Sequence, residues 1–97
     1  MVSPENTMVK QKLHGANMKV IRFTASWCQP CKTMKNMLDE IKPTIPFEVV
    51  DIDVNPELAA DYGIRSIPTL IMLNEKGEIK RLSGIKTKEQ LTEWLNA

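Results

Sequence analysis

Ninety-seven residues make one domain's worth of chain, enough for a single hydrophobic core and too few for two. With 42% hydrophobic and 26% charged residues the composition is ordinarily globular, which excludes a disordered, collagen-like or coiled-coil chain. The 13 Lys and Arg against 12 Asp and Glu leave a formal charge of +1 with both signs scattered, so neither nucleic acid nor an anionic membrane is an expected partner.

Ser3, Pro4 and Glu5 read as a helix cap, a first-turn proline and a first-turn acid, and Gly15 is a natural stop. A short helix is therefore expected over residues 4–14, burying Val9 and Leu13 and leaving His14 solvated at its end. This stretch has no apolar core of a signal peptide, and no run in the chain approaches the about 18 residues of a spanning helix. The expected address is the cytoplasm.

Residues 20–25 form a short β-rich run between Asn17 and Ser26-Trp27, as a buried strand would. Over residues 29–42, Met34, Met37, Leu38 and Ile41 fall at i, i+3, i+4 and i+7, and Pro43 and Pro46 end the pattern, which predicts an amphipathic helix. Residues 47–53 read as a second strand. Asn55, Pro56 and Glu57 open a short helix through Leu58, Ala59 and Ala60 to Tyr62, with Gly63 at its end. Residues 69–73 are a third strand, 74–77 a turn, and 78–82 its hairpin partner. Thr87 and Gln90 have capping-box spacing, and Leu91, Trp94 and Leu95 give the last helix its apolar stripe. The order α-β-α-β-α-β-β-α implies parallel strands joined by right-handed helical crossovers, then an antiparallel hairpin.

The chain's two cysteines, Cys28 and Cys31, lie three apart where the first strand gives way to a helix. A bridge over two residues closes too small a loop to act as a staple. A mononuclear zinc site would need about four ligands, and the chain adds only the distant His14. Two protomers sharing a metal or cluster, and a pair of buried small side chains, remain alternative readings. In the redox reading the two side chains share one helix face about a turn apart, close enough to bond. The first sulfur would meet the unsatisfied N–H groups and positive dipole of the helix start, which favour thiolate and make Cys28 the nucleophile. Cys31, inside the first turn, suits a resolving thiol, and Pro30 sits where a helix start needs no N–H.

The run Trp27-Cys28-Gln29-Pro30-Cys31-Lys32 resembles the active site of the thioredoxin family. Residues 62–69 (YGIRSIPT) resemble that family's second signature, and Lys76-Gly77-Glu78 with Ser83-Gly84 resembles its hairpin and groove glycine. The resemblance implies a three-layer α/β sandwich in a single domain, 1–97, with a mixed sheet of four strands and helices on both faces. The family's N-terminal edge strand is expected to be absent or vestigial, since residues 1–7 hold no good β-run. It also implies a cytoplasmic, monomeric protein-disulfide reductase without a bound cofactor, recycled with NADPH electrons by a thioredoxin reductase and serving disulfide-containing clients. A glutaredoxin-like coupling to glutathione and a non-catalytic binding module are the rival readings.

By the same resemblance Pro68 follows a cis peptide bond beside the cysteines, and Trp27, Gln29, Pro30, Ile67, Pro68, Gly84 and Ile85 line the substrate groove. This sequence also departs from the family's pattern. Gln29 replaces a usual glycine, and Asn36 a proline that kinks the active-site helix, so that helix is expected to run straighter. Arg22 stands where the family has a buried aspartate, and Val49 where it has a lysine. Arg22 is therefore expected either beneath the cysteines, where its cation with that of Lys32 would favour thiolate and the reduced form, or at the surface against Glu48 or Asp51.

Overall fold

A computed structural model describes residues 17–96. The expected helix over 4–14 and the question of the N-terminal edge strand fall outside the described residues. Two strands carry the centre of the sheet because they are apolar on both faces, as strands covered on both sides must be. The first, β1 (Lys19–Thr24), pairs in parallel with β2 (Phe47–Asp51) and antiparallel with β3 (Thr69–Asn74). The last, β4 (Gly77–Ser83), pairs antiparallel with β3, giving the order β2-β1-β3-β4. The 74–77 turn is held by the Asn74 side chain, which accepts from the Lys76 N–H at 2.8 Å.

The period of two along β1 sorts the core into two halves. Val20, with Leu70 and Met72 of β3, packs against Met34 and Leu38 of α1 (Gln29–Ile41) and Leu91 of α3 (Lys88–Asn96). Ile21, Phe23, Val50 and Ile71 face the opposite way, toward Ala59 of α2 (Pro56–Asp61), and the Tyr62 ring lies 5.8 Å from that of Phe23. The result is a mixed four-stranded sheet between helices, an α/β sandwich. Burying each such large side chain contributes about 1.5–3 kcal/mol, so the two central strands anchor the fold.

Most elements fall where the periodicity puts them, with local chemistry trimming their ends. Lys42, expected as the last helical residue, takes a left-handed backbone (φ 54°) and caps α1 with its N–H on the Leu38 carbonyl at 2.9 Å. The second strand stops at Asp51 instead of 53, because the Asp51 carboxylate accepts from the Asp53 N–H at 2.8 Å and turns the chain toward the Asn55 cap of α2. Thr87 and Gln90 form the expected reciprocal cap on α3 at 2.9 and 3.1 Å. With Asn36 in place of a proline, α1 is continuous.

One topological expectation is corrected. The element order implied that β3 would run parallel to its predecessors, yet it is antiparallel to β1. The reason is length. At 1.5 Å per residue a six-residue helix spans about 9 Å, half of what a return along a strand of five or six residues requires. The chain therefore re-enters the sheet at the end where β2 left it, and Thr69 pairs with Phe23 near the carboxyl end of β1. That reversal brings the 62–68 segment beside the cysteines.

Candidate active site

Cys28 is the N-cap of α1, with extended backbone (φ −93°, ψ 103°), and its Sγ accepts from the Cys31 N–H at 3.2 Å. A cap side chain of this kind satisfies one of the donors that every helix start leaves free. Pro30 lies in the first turn, where a missing N–H costs nothing. The two sulfurs are joined as a disulfide with the Cα atoms 5.3 Å apart. Sequence spacing places Cys28 as the more exposed thiol. The difference is small, since Cys28 is 4% exposed and Cys31 0%, both walled by Ala25, Ile52 and Ile67.

Around this buried pair the expected groove residues come together. Trp27 is 65% exposed, and its indole Nε1 donates to Asp53 Oδ2 at 2.8 Å. The Ile67–Pro68 peptide bond is cis, and Pro68 is buried with its carbonyl accepting from the Gly84 N–H at 2.9 Å. Gly84 has φ 89°, which an L side chain rarely adopts, and a Cβ there would meet open space. One apolar cavity of about 240 Å³ opens between Gln29, Pro30, Met34, Met37, Pro68 and Ile85, with Lys86 at its edge. A second, of about 350 Å³, lies between Trp27, Ile64, Arg65 and Ile67. Trp27 walls one hollow and Gln29 and Pro30 the other, with the buried Cys28 between them in the chain.

Asp53 is a site residue that the sequence reading did not single out. It belongs to a loop and lies 26 positions from Trp27, so no periodicity signals it. Lys32 is exposed on the flank of α1 beside Cys31. Lys35, a turn on, is paired with Asp39 at 2.9 Å.

Arg22 is buried under α1 at 7% exposure and shares a cavity of about 180 Å³ with Cys31, Lys32 and Asp51. The surface ion pair with Glu48 or Asp51 is not formed. Glu48 is held by Lys19 at 2.9 Å, and Asp51 is engaged by the Asp53 N–H. Burial pulls the Arg22 pKa down, and the carboxylate opposing that shift is Asp39. Among the described residues no group of three or more His, Cys, Asp or Glu could hold a metal ion, and no helix is long and apolar enough to cross a membrane.

The chain matches the Thioredoxin family model over residues 2–97. It is 37% identical over 97 residues to the thioredoxin of Rickettsia felis, covering 95% of this chain and 91% of that protein. With the thioredoxin of Rickettsia prowazekii the identity is 42% over 82 residues, covering 79% and 77%. Among solved structures it is similar to reduced Schistosoma mansoni thioredoxin pre-protein, at a TM-score of 0.74 and 28% identity over 82% of this chain and 77% of that one.

Proposed function

Because this chain belongs to the thioredoxin family, it is a thiol–disulfide oxidoreductase that reduces protein disulfides through a dithiol, and we propose that Cys28 attacks and Cys31 resolves. The observation that carries these roles is the position of Cys28 Sγ as acceptor at the head of α1. N–H groups and the helix dipole there favour thiolate over thiol.

In the reaction the Cys28 thiolate attacks one sulfur of a client disulfide, forming a mixed disulfide and releasing the first client thiolate. Cys31, having lost its proton, attacks Cys28 Sγ, forms the Cys28–Cys31 bond and releases the second. Two electrons pass to the client, and both its sulfurs take up protons. The client chain lies across Trp27, Gln29, Pro30, Ile67, Pro68, Gly84 and Ile85, with its backbone against Ile67 and apolar side chains in the two hollows. The cycle needs no bound cofactor, only an external donor for the disulfide: a thioredoxin reductase drawing on NADPH. The protein works as a monomeric single domain in the cytoplasm, on disulfide-containing client proteins.

Turnover on insulin with NADPH and a thioredoxin reductase, set against glutathione with its own reductase, tests this assignment. Rapid NADPH use in the first arm alone supports it. Turnover confined to the glutathione arm would replace it with a glutaredoxin-like role, and none in either arm would leave a binding module.

A further inference from the structure

Cys28 and Cys31 meet different surroundings, and the difference exposes a second charge in the site. Cys28 Sγ has a backbone donor at 3.2 Å, whereas no described residue donates a hydrogen bond to Cys31 Sγ, which is fully buried. Burial of that kind disfavours thiolate, yet resolution requires it. Along β1 the alternation that turns Val20 onto Met34 and Leu38 turns Arg22 under the same helix, onto the cavity wall that includes Cys31. No described residue accepts a hydrogen bond from the Arg22 guanidinium. The remaining charges there are Lys32, Lys35 and Asp39 on α1 and Asp51 at the end of β2. Asp39 is paired with Lys35, and the three cations Arg22, Lys32 and Lys35 outnumber the two carboxylates Asp39 and Asp51, which leaves the surroundings of the cavity net positive.

We propose that Arg22 is a positioning residue for the resolving step, its buried cation holding Cys31 as thiolate beneath the mixed disulfide on Cys28. The proposal rests on Cys28 being the attacking thiol. The Cys31 proton leaves to water, the Cys31 thiolate forms the bond to Cys28 Sγ, and the bond from Cys28 to the client breaks with its electron pair on the client sulfur. The leaving sulfur then takes a proton from water. Arg22 stays protonated throughout, so it supplies field and not a proton.

A chromogenic aryl disulfide such as dithiobis-nitrobenzoate separates the two steps, because the reduced protein releases one coloured thiolate when Cys28 attacks and a second when Cys31 resolves. In Arg22→Met the second release is expected to slow about three- to tenfold at neutral pH, and more than the first. This is the net of less thiolate and a more basic nucleophile once the neighbouring cation is gone. The gap closes near pH 10, and Arg22→Lys recovers most of the rate. Circular dichroism checks folding, with Arg22→Gln as the substitute if the Met variant does not fold. Asp39→Asn, which removes a carboxylate from the wall shared with Arg22, resolves as fast as wild type or faster. A second release in the uncharged variant within about twofold of wild type at every pH would overturn the proposal, and so would a slowing confined to Asp39→Asn. A first release at the wild-type rate from Cys28→Ser, whose one remaining thiol is Cys31, would instead overturn the assignment of the attacking thiol.

Discussion

The Trp27 indole, exposed to solvent beside the disulfide, is tethered by a 2.8 Å hydrogen bond from Nε1 to Asp53 Oδ2. Asp53 is itself oriented, its N–H donating to the Asp51 carboxylate at 2.8 Å. An exposed ring is free to adopt other rotamers unless something fixes it, and this pair fixes Trp27 over one wall of the groove.

Asp53→Ala should therefore lower kcat/KM for a protein disulfide by up to about tenfold, the equivalent of one charge-assisted hydrogen bond. Its unfolding free energy should change by less than about 1 kcal/mol, because the bond is exposed. Insulin reduction and urea denaturation of the same preparation check both halves. Equal kcat/KM in the two proteins would mean that the tether does not shape the groove.

The helix-cap position of Cys28 makes a prediction about reactivity. In the reduced protein iodoacetamide should label Cys28 before Cys31, with a pH midpoint below the about 8.5 of a free thiol. Cys31→Ser should accumulate mixed disulfides with client proteins, since nothing remains to resolve them. Peptide mapping by mass spectrometry reads both results, and earlier labelling of Cys31 would reverse the two roles.

Much of this site was legible in the chain. The cysteine pair, the proline between them, the helix stripe behind and the 62–69 run each carry local signals, and the structure brings them together around the disulfide. What was not legible is the relation between segments. The direction of β3 follows from the span of α2 compared with a strand, a comparison that the order of elements does not contain. Asp53 reads as the last residue of the second strand until β2 stops early and swings it toward Trp27. Arg22 could be placed on a face by counting along β1. That it pairs with neither Glu48 nor Asp51, which are engaged by Lys19 and the Asp53 N–H, could not be counted from β1 alone.

Away from the site, Arg81 ties β4 to the end of α2. It pairs with Glu78 at 2.6 and 2.7 Å and donates to the Tyr62 carbonyl at 2.9 Å. The hydrogen bond from Arg81 holds the Glu78 carboxyl below its ordinary pKa. A carboxylate depressed in the folded state adds stability that is present above its unfolded pKa and lost as pH falls through the folded value. Glu78→Gln should thus cost at most about 1 kcal/mol at pH 7, as partly exposed pairs do, and nothing in acid strong enough to protonate the carboxyl in the folded state. Urea melts at the two pH values read the difference, and a cost that persists in acid would assign it to packing.

Leu91 is the fully buried contact through which α3 joins the α1 side of the core. Leu91→Ala should lose about 2–5 kcal/mol of stability, a large fraction of what a domain of this size has. Reductase turnover per folded molecule should stay at the wild-type level. Thermal unfolding with activity measured well below the transition separates the two effects, and an unchanged melting temperature would contradict the core assignment.

The most direct test of the account is dithiothreitol-driven insulin reduction by the wild-type and Cys28→Ser proteins, followed as precipitation of the freed insulin B chain. The account predicts that wild type shortens the lag many-fold over dithiothreitol alone and that Cys28→Ser leaves it at the uncatalysed value. Insulin precipitation by Cys28→Ser at the wild-type rate would contradict it.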